Sequence, residues 1–191
     1  MSRTLIALCG NPLSGKTTAA ELLAERGYQL VDDGLPLRKI AMEHLGLTPR
    51  QVFTQEGKLD EVELNGRIWT VREILGEIGN AFEEKFGGDI IPLMSLMNLP
   101  AEGKFVFGSV RREQGLFWKK QGALVVEIRN PLAGPSPYEF DRFNASHCNT
   151  APIVNDALAR GADKAEALAD LKTKIFALAD AIEENPLPRA A

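Results

Sequence analysis

The segment Gly10–Thr17 constrains the fold of this chain more than any other. It has glycines at positions 10 and 15 and the pair Lys16-Thr17, and it lies between an apolar run and a segment with helical apolar spacing. Such glycines let successive backbone N–H groups converge on phosphate oxygens at a helix N-terminus. The pattern predicts a phosphate-binding loop, or P-loop, inside a strand-loop-helix unit.

We expect this loop to bind ATP together with Mg²⁺. Lys16 would bridge the β- and γ-phosphates, and the hydroxyl of Thr17 would bind the metal ion. The residues expected to contact ATP are Gly10, Asn11, Pro12, Leu13, Ser14, Gly15, Lys16, Thr17 and Thr18. A plain glycine turn ahead of a helix is the alternative interpretation.

Short apolar runs alternate with helical patterns along most of the chain. Strands are predicted at 4–9, 28–31, 104–107, 123–128 and 153–154, and helices at 17–26, 36–45, 71–86, 112–121 and 164–184. Near-continuous apolar runs are typical of parallel strands covered on both faces, and the crossovers between them are right-handed. We therefore predict an α/β fold, a doubly wound parallel sheet of the P-loop nucleotide kinase type. We expect a single domain over residues 1–185 and a frayed tail over 186–191.

Two long segments, 51–69 and 129–152, look irregular; the first carries Gly, and the second carries both Pro and Gly. Loops of this length in a compact domain are usually lids or binding loops, so both are candidate acceptor or lid loops. Arg129 and Arg142 are candidates to close over the phosphates from the second segment. This last expectation depends on their position alone.

The predicted helix 71–86 begins with a capping box, since Thr70 and Glu73 can each satisfy a free backbone N–H group. Arg72, Gly76 and Gly79 share one face of this helix. The guanidinium group of Arg72 would lie there beside a strip of the helix that has no side chains. A ligand or a second helix would fit against it.

Composition narrows the class of protein. The net charge is -4, with 45% hydrophobic and 25% charged residues, close to globular averages. The chain has no basic surplus, so DNA contact is neither supported nor excluded. Cys9 and Cys148 lack metal-site spacing, and no apolar run reaches the length of a membrane span. We expect a soluble protein that makes no membrane contact. A reducing cytoplasm is the expected compartment, which is that of the host if a phage encodes the chain. The sequence does not indicate an oligomeric state.

The P-loop class follows from what accompanies the loop. The Asn-Lys-x-Asp and Asp-x-x-Gly sequences of common GTPases are absent from the chain, and the strand ending at Phe107 runs into Gly108-Ser109 rather than an Asp. A small-molecule kinase is the remaining class, in which catalysis is mostly positioning and charge neutralisation. A non-catalytic nucleotide-binding module that switches a partner is the alternative from another class.

The order of several short motifs resembles that of phage-type deoxynucleoside monophosphate kinases over nearly the whole chain. The matching pieces are Gly10–Thr17, Pro36-Leu37-Arg38, Val71–Gly79, Val110-Arg111, His147 and Asn155-Asp156. The resemblance implies transfer of the γ-phosphoryl group of ATP to a small deoxynucleotide, a deoxynucleoside monophosphate. Lys16 and Arg111 are then the catalytic candidates. The acceptor-binding candidates are Arg38, Arg72, Arg111 and Arg112.

The chain departs from that family in two places. Ser109 stands where the family typically has an acidic residue, and the loop after His147 reads Cys-Asn-Thr rather than ending in Glu. The pair Asp32-Asp33 instead resembles the carboxylates of dephospho-coenzyme A kinases and deoxynucleoside kinases, which implies a catalytic base for a hydroxyl acceptor. An ionised phosphate acceptor needs no such base.

The second hypothesis is therefore a hydroxyl acceptor, for example the 5-hydroxymethyl group of a modified uracil, free or in phage DNA. In either case we expect the acceptor between the helix bearing Arg72 and the strand ends bearing Asp32, Asp33 and Arg111. Each residue has a structural alternative. The two Asp residues would cap the next helix, Arg72 would pair with a nearby carboxylate, and His147 would be a solvated loop residue.

Overall fold

The computed structural model describes residues 3–185, and the predicted frayed tail 186–191 lies outside the described residues. The strands are β1 (Arg3–Cys9), β2 (Gln29–Val31), β3 (Glu61–Leu64), β4 (Arg67–Thr70), β5 (Gly103–Phe107), β6 (Leu124–Arg129) and β7 (Ile153–Val154). The helices are α1 (Lys16–Ala24), α2 (Leu35–Leu45), α3 (Pro49–Phe53), α4 (Val71–Phe86), α5 (Ile90–Met97), α6 (Gln114–Lys120) and α7 (Lys164–Glu184). None of the helices in this range is long and apolar enough to span a membrane.

The chain divides into two compact units. The first, called the P-loop unit, comprises the residues up to Asp32 and those from Leu99 onward, and the second, called the inserted unit, is Asp33–Asn98. The inserted unit thus interrupts the sequence of the P-loop unit once, between β2 and β5. Each unit has its own secondary structure and hydrophobic cluster.

The P-loop unit is built on a parallel sheet with the strand order β2-β5-β1-β6-β7. All neighbouring strands in it are parallel. This confirms the predicted α/β architecture, and each strand in it begins and ends within one residue of its prediction. Because parallel strands end at the same edge, the segments that follow β1, β5 and β6 meet where ligands of open α/β sheets bind.

Helices cover this sheet on both faces. On one face a buried cluster joins strand residues such as Ile6 and Leu8 to Leu23 of α1 and Ile175 of α7. Side chains alternate along a strand, so Phe107 belongs to the other face, where its ring centroid lies 3.9 Å from that of Trp118 in α6. This burial on both sides explains why β1 is apolar without alternation.

The inserted unit contains α2 to α5 and an antiparallel hairpin of β3 and β4. The prediction of an irregular segment over 51–69 was wrong. Asn65 and Gly66 have φ values of 52° and 75°. Both central residues of a two-residue type I′ hairpin turn require positive φ, and Asn-Gly is a strong sequence signal for that turn. The flanking strands Glu61–Leu64 and Arg67–Thr70 pair on either side of it.

Helix α4 begins and ends where predicted. Thr70 Oγ1 accepts a hydrogen bond from Glu73 N at 3.2 Å, and Glu73 Oε2 accepts one from Thr70 N at 2.8 Å. These bonds favour the ionised carboxylate and so lower the pKa of Glu73. The helix contributes Val71 and Ile74 to the hydrophobic cluster of the inserted unit.

The glycine strip of α4 is covered by other helices of the inserted unit at Gly79. A Cβ atom at Gly79 would lie 3.4 Å from Leu37 Cδ1 of α2 and 3.5 Å from Ile91 Cδ1 of α5. Of the two alternatives for this strip, a ligand or a second helix, the structure shows helices at Gly79. Helix α5 was not predicted, because nearly all of its residues are apolar and show no helical period.

Candidate active site

Two glycines of the P-loop are required by close contacts. A Cβ atom at Gly10 would lie 2.4 Å from the carbonyl oxygen of Ile128, and one at Gly15 would lie 2.6 Å from Asn155 Nδ2. Both residues also have positive φ, 147° and 103°. A side chain at either position would fill the loop and strain the backbone. The loop therefore keeps its backbone free of side chains at these two positions, as a phosphate cradle requires.

The polar groups inside the loop fit a bound phosphate. Lys16 Nζ donates to the carbonyl oxygens of Gly10 at 2.7 Å and Asn11 at 2.8 Å, which holds the ammonium group over the loop. Ser14 is 1% exposed, and its hydroxyl has no hydrogen-bond partner in the part of the chain that the structure describes. A buried orphan hydroxyl in a glycine cradle is a group that a phosphate oxygen would satisfy.

The remaining loop residues face solvent. Leu13 is 93% exposed and has φ of 64°, and Pro12 is exposed as well. Thr17 is exposed and Thr18 half-buried in the first turn of α1. The Thr17 hydroxyl is accessible to a metal ion on the phosphates, which fits the predicted role of this residue.

Asn155 supports the P-loop from the end of β7. Its side-chain amide Nδ2 donates to the carbonyl oxygen of Ser14 at 3.0 Å, and its backbone N donates to Arg129 O at 2.7 Å. Sequence reasoning reached Asn155 only through the family resemblance. A second support comes from the segment 129–152, called the late loop. There Ala133 O accepts a hydrogen bond from Asn11 Nδ2 at 3.0 Å.

Arg111 and Lys16 share a charged neighbour, Asp141. Arg111 follows β5, and its Nε lies 3.0 Å from Asp141 Oδ1. Burial lowers the pKa of Lys16, the Asp141 carboxylate acts to raise that pKa, and the Arg111 guanidinium acts to lower it. The phosphate loop, the predicted catalytic arginine and Asp141 thus form one electrostatic group. Asp141 was missed because its partners lie far from it in the sequence.

The other arginines near the strand ends have local partners. Arg112 has φ of 44°, and its carbonyl oxygen accepts a hydrogen bond from Asn144 N at 3.3 Å. Arg129 makes two hydrogen bonds to Glu127, at 3.0 and 2.7 Å, and Arg142 Nε donates to Ser136 O at 3.2 Å. Closure of Arg129 or Arg142 over the phosphates would require these contacts to break.

The inserted unit holds two of the predicted acceptor-binding residues. Arg72 Nη2 donates to Gln55 Oε1 at 2.8 Å, and Arg38 Cζ lies 5.4 Å from the centroid of the Phe53 ring. Phe53 is 46% exposed. Phe53 and Gln55 are two residues apart, so both arginines lie against the same short segment. Sequence reasoning did not identify Phe53 or Gln55.

The two aspartates after β2 differ in burial. Asp32 is half-buried and is the last residue of that stretch of the P-loop unit, whereas Asp33 begins the inserted unit and is 6% exposed. The N-cap of α2 is Gly34, which has no capping side chain. The helix-capping alternative for Asp32 and Asp33 is therefore wrong, since glycine takes the cap position. Ser95 Oγ donates to the backbone oxygen of Asp33 at 3.3 Å.

His147 is buried, so the structural alternative of a solvated loop residue is wrong. It is 7% exposed, and its Nε2 lies 3.0 Å from Glu113 Oε2. Cys148, the next residue, places its Sγ 3.4 Å from Cys9 Sγ at the end of β1. Burial raises the pKa of both thiols. Both contacts join residues far apart in the sequence.

Comparisons with known proteins give one curated relative. A dephospho-CoA kinase from Shewanella oneidensis is 24% identical over 177 residues, which cover 87% of this chain and 83% of that protein. No model of a known protein family matches the chain. The crystal structure of TT1252 from Thermus thermophilus aligns with 91% of this chain and 81% of that chain at 21% identity, with a TM-score of 0.35. The fold assignment rests on the sheet topology described above.

The chain is a P-loop kinase, and ATP and Mg²⁺ are its nucleotide and metal ion. The glycine cradle, the ammonium group of Lys16 and the similarity to a dephospho-CoA kinase agree on this class. The similarity to phage-type deoxynucleoside monophosphate kinases stays a prediction.

Proposed function

We propose that this kinase transfers the γ-phosphoryl group of ATP to a deoxynucleotide, with a deoxynucleoside monophosphate as the leading acceptor. The observation that carries the proposal is the pairing of Arg38 with Phe53 and of Arg72 with Gln55 on one segment of the inserted unit. Guanidinium groups bind phosphate in a bidentate manner, and an exposed aromatic ring stacks on a nucleobase. This set of side chains is complementary to a nucleoside monophosphate.

The predicted site residues of the P-loop unit would each have a role in this reaction. The loop N–H groups and Lys16 would bind the β- and γ-phosphates, and Arg111 would stabilise negative charge on the transferred group. Thr17 would hold Mg²⁺, which when bound neutralises charge on the phosphates. An oxygen of the acceptor phosphate forms the new bond to γ-phosphorus, and the bond to the bridging oxygen of ADP breaks, with its electron pair leaving on ADP. No proton has to move.

A hydroxyl acceptor is the second candidate, because of Asp32 and Asp33. Asp33 is a nearly buried carboxylate at the end of a strand, the cap position beside it is taken by Gly34, and the curated relative is a dephospho-CoA kinase. One of these carboxylates would take the hydroxyl proton as the oxygen attacks γ-phosphorus. The acceptor would then be a hydroxymethyl group, for example that of 5-hydroxymethyluracil, free or within DNA.

The test is a panel of acceptors incubated with ATP labelled at the γ-phosphate. The panel contains the common deoxynucleoside monophosphates, DNA with 5-hydroxymethyluracil, and dephospho-CoA. We expect label on at least one deoxynucleoside monophosphate. Label on the modified DNA alone would make the hydroxyl candidate the leading one. Label on dephospho-CoA alone would overturn the deoxynucleotide acceptor and keep a hydroxyl acceptor of another kind. Label that stays on ATP throughout would favour a non-catalytic nucleotide-binding module.

Asp32→Asn and Asp33→Asn separate the two acceptor classes further. With a hydroxyl acceptor, one of the two changes should lower kcat by about 10²–10⁴ while ATP affinity stays near normal. With a phosphate acceptor, both variants should keep most of their kcat, because no base is needed. Near-normal kcat for both variants on a hydroxyl acceptor would exclude the general-base role.

A further inference from the structure

We propose that Asp141 is a positioning residue of the phosphoryl-transfer site, which holds the Arg111 guanidinium toward the phosphates bound by Lys16. The inference rests on the proposed kinase reaction at the P-loop but not on the identity of the acceptor. Asp141 ends a 3₁₀ turn, Glu139–Asp141, in the late loop. Only the fold brings Asp141 to Arg111, which follows β5 at the edge of the parallel sheet.

The contact between Asp141 and Arg111 is direct and partly protected from water. Arg111 Nε lies 3.0 Å from Asp141 Oδ1, and the two side chains are 31% and 21% exposed. A long arginine side chain loses much rotamer entropy when it is fixed in one geometry. A carboxylate that binds Nε sets the plane of the guanidinium, whose two terminal amino groups are the donors that suit a phosphate.

The turn that carries Asp141 is fastened to the segment that carries Arg111. The backbone N of Arg112 donates to Arg142 O, and Arg112 O accepts from Asn144 N at 3.3 Å, so the two segments are joined directly beside the ion pair. Farther along, Asn144 Nδ2 donates to Glu113 Oε1 at 3.3 Å. The two backbone bonds hold the residues after Asp141 against the residue after Arg111, and the side-chain bond extends that contact.

The late loop also packs against the start of α6 at His147. A Cβ atom at Gly115 would lie 2.6 Å from His147 Cβ, so the start of α6 and the late loop approach closely. His147 also contacts Glu113 through Nε2, at 3.0 Å. The late loop around Asp141 is therefore a docked support of the site in this structure.

The charge balance gives the contact a second effect. Lys16 and Arg111 are both cations, so they repel each other in the absence of phosphate. The Arg111 guanidinium accordingly acts to lower the pKa of Lys16. Asp141 acts on the same lysine in the opposite direction. One carboxylate thus lets two phosphate-binding cations stand close together before ATP arrives.

The experiment is a double-mutant cycle with Asp141→Asn and Arg111→Ala. Initial rates are measured for transfer to an acceptor from the panel and for acceptor-independent hydrolysis of Mg·ATP, so a wrong acceptor assignment leaves the cycle readable. If Asp141 acts through Arg111, Asp141→Asn alone should lower kcat about tenfold or more, with the KM for ATP changed much less. In the Arg111→Ala background the same change should have almost no further effect.

Two further variants keep the result specific. Asp141→Glu retains the carboxylate and should recover part of the lost kcat, and Glu139→Gln removes a charge from the same turn and should leave kcat unchanged. Thermal melts identify any variant that is unfolded. An unchanged kcat in Asp141→Asn, or an equal loss with and without Arg111, would overturn the assignment.

Discussion

The P-loop unit and the inserted unit present their functional groups in different ways. In the P-loop unit the phosphate cradle depends on a bare backbone, because Gly10 and Gly15 have positive φ and close neighbours where a side chain would begin. In the inserted unit the candidate acceptor groups are side chains held by other side chains, as Arg72 is by Gln55. A backbone cradle permits few substitutions, whereas side-chain pairs can change one at a time. Changes in the first unit should therefore abolish the chemistry, and changes in the second should alter the choice of acceptor.

The largest effect is expected for Lys16→Ala. The ammonium group is held by the Gly10 and Asn11 carbonyls and would stabilise charge on the phosphates, so its removal should lower kcat at least about 10²–10³-fold. The measurement is steady-state transfer from labelled ATP, with circular dichroism to verify folding. Lys39→Ala, an exposed lysine of α2, is the control and should behave as wild type. Comparable kcat in Lys16→Ala would exclude the P-loop mechanism.

Arg72→Ala should separate the two substrates. A lost charge-assisted hydrogen bond to phosphate is worth about 1.5–3 kcal/mol, so the KM for the acceptor should rise about 10- to 100-fold while the KM for ATP stays nearly constant. Arg67→Ala is the matched control, because Arg67 belongs to the same unit and lies over the ring of Trp69. Equal changes in both KM values would contradict the division of labour between the units.

Phe53→Leu tests whether the exposed ring stacks on a base. Leucine keeps much of the apolar volume but not the π-face, so the KM for the acceptor should rise about fivefold, the low end for a stacked base. Phe53→Tyr keeps the ring and should restore a KM near that of wild type. A KM that is the same in both variants would show that Phe53 only packs beside Arg38.

The smallest effect is expected for Gly66→Ala in the hairpin turn. Gly66 has φ of 75°, and alanine in the left-handed region costs about 1–2 kcal/mol. The melting temperature should fall by about 2–8 °C, with kcat and both KM values unchanged. Gly88→Ala is the control, because a Cβ atom there would meet no atom within 4 Å and no positive φ opposes it. A loss of activity in Gly66→Ala would tie the hairpin to the site.

Local signals made most of the fold predictable. The apolar run of β1 and the capping boxes at Thr70 and Asp163 depend on residues near each other in the chain, and α4 and α7 have their predicted bounds. The hairpin at Asn65-Gly66 has an equally local signal, but each of its strands has only four residues, which is too short for a clear alternating pattern. Helix α5 carried none, since a nearly uniform apolar run has no period to detect.

The candidate site was predictable to the extent that its geometry is local. The P-loop is a contiguous motif, so its residues were identified together. The sequence did not show Asp141, the Cys9–Cys148 contact or the burial of His147. Each of these depends on a partner thirty or more positions away. The sequence correctly predicted that Asp32 and Asp33 follow the end of β2. The N-cap residue of α2 is Gly34, however, although glycine ranks below Asp in N-cap preference.

The inserted unit enters the chain after Asp32 and leaves it before Leu99, as one uninterrupted stretch of sequence. Where the chain re-enters the P-loop unit, Arg3 Nε donates to Pro100 O at 2.7 Å and Arg3 Nη2 donates to Leu99 O at 2.9 Å. Two recombination events, one at each junction, would exchange Arg38, Phe53 and Arg72 as a cassette and leave the gene segments for the phosphate loop intact. If the inserted unit binds the acceptor as proposed, such an exchange would change the preference for the acceptor and leave ATP binding in place.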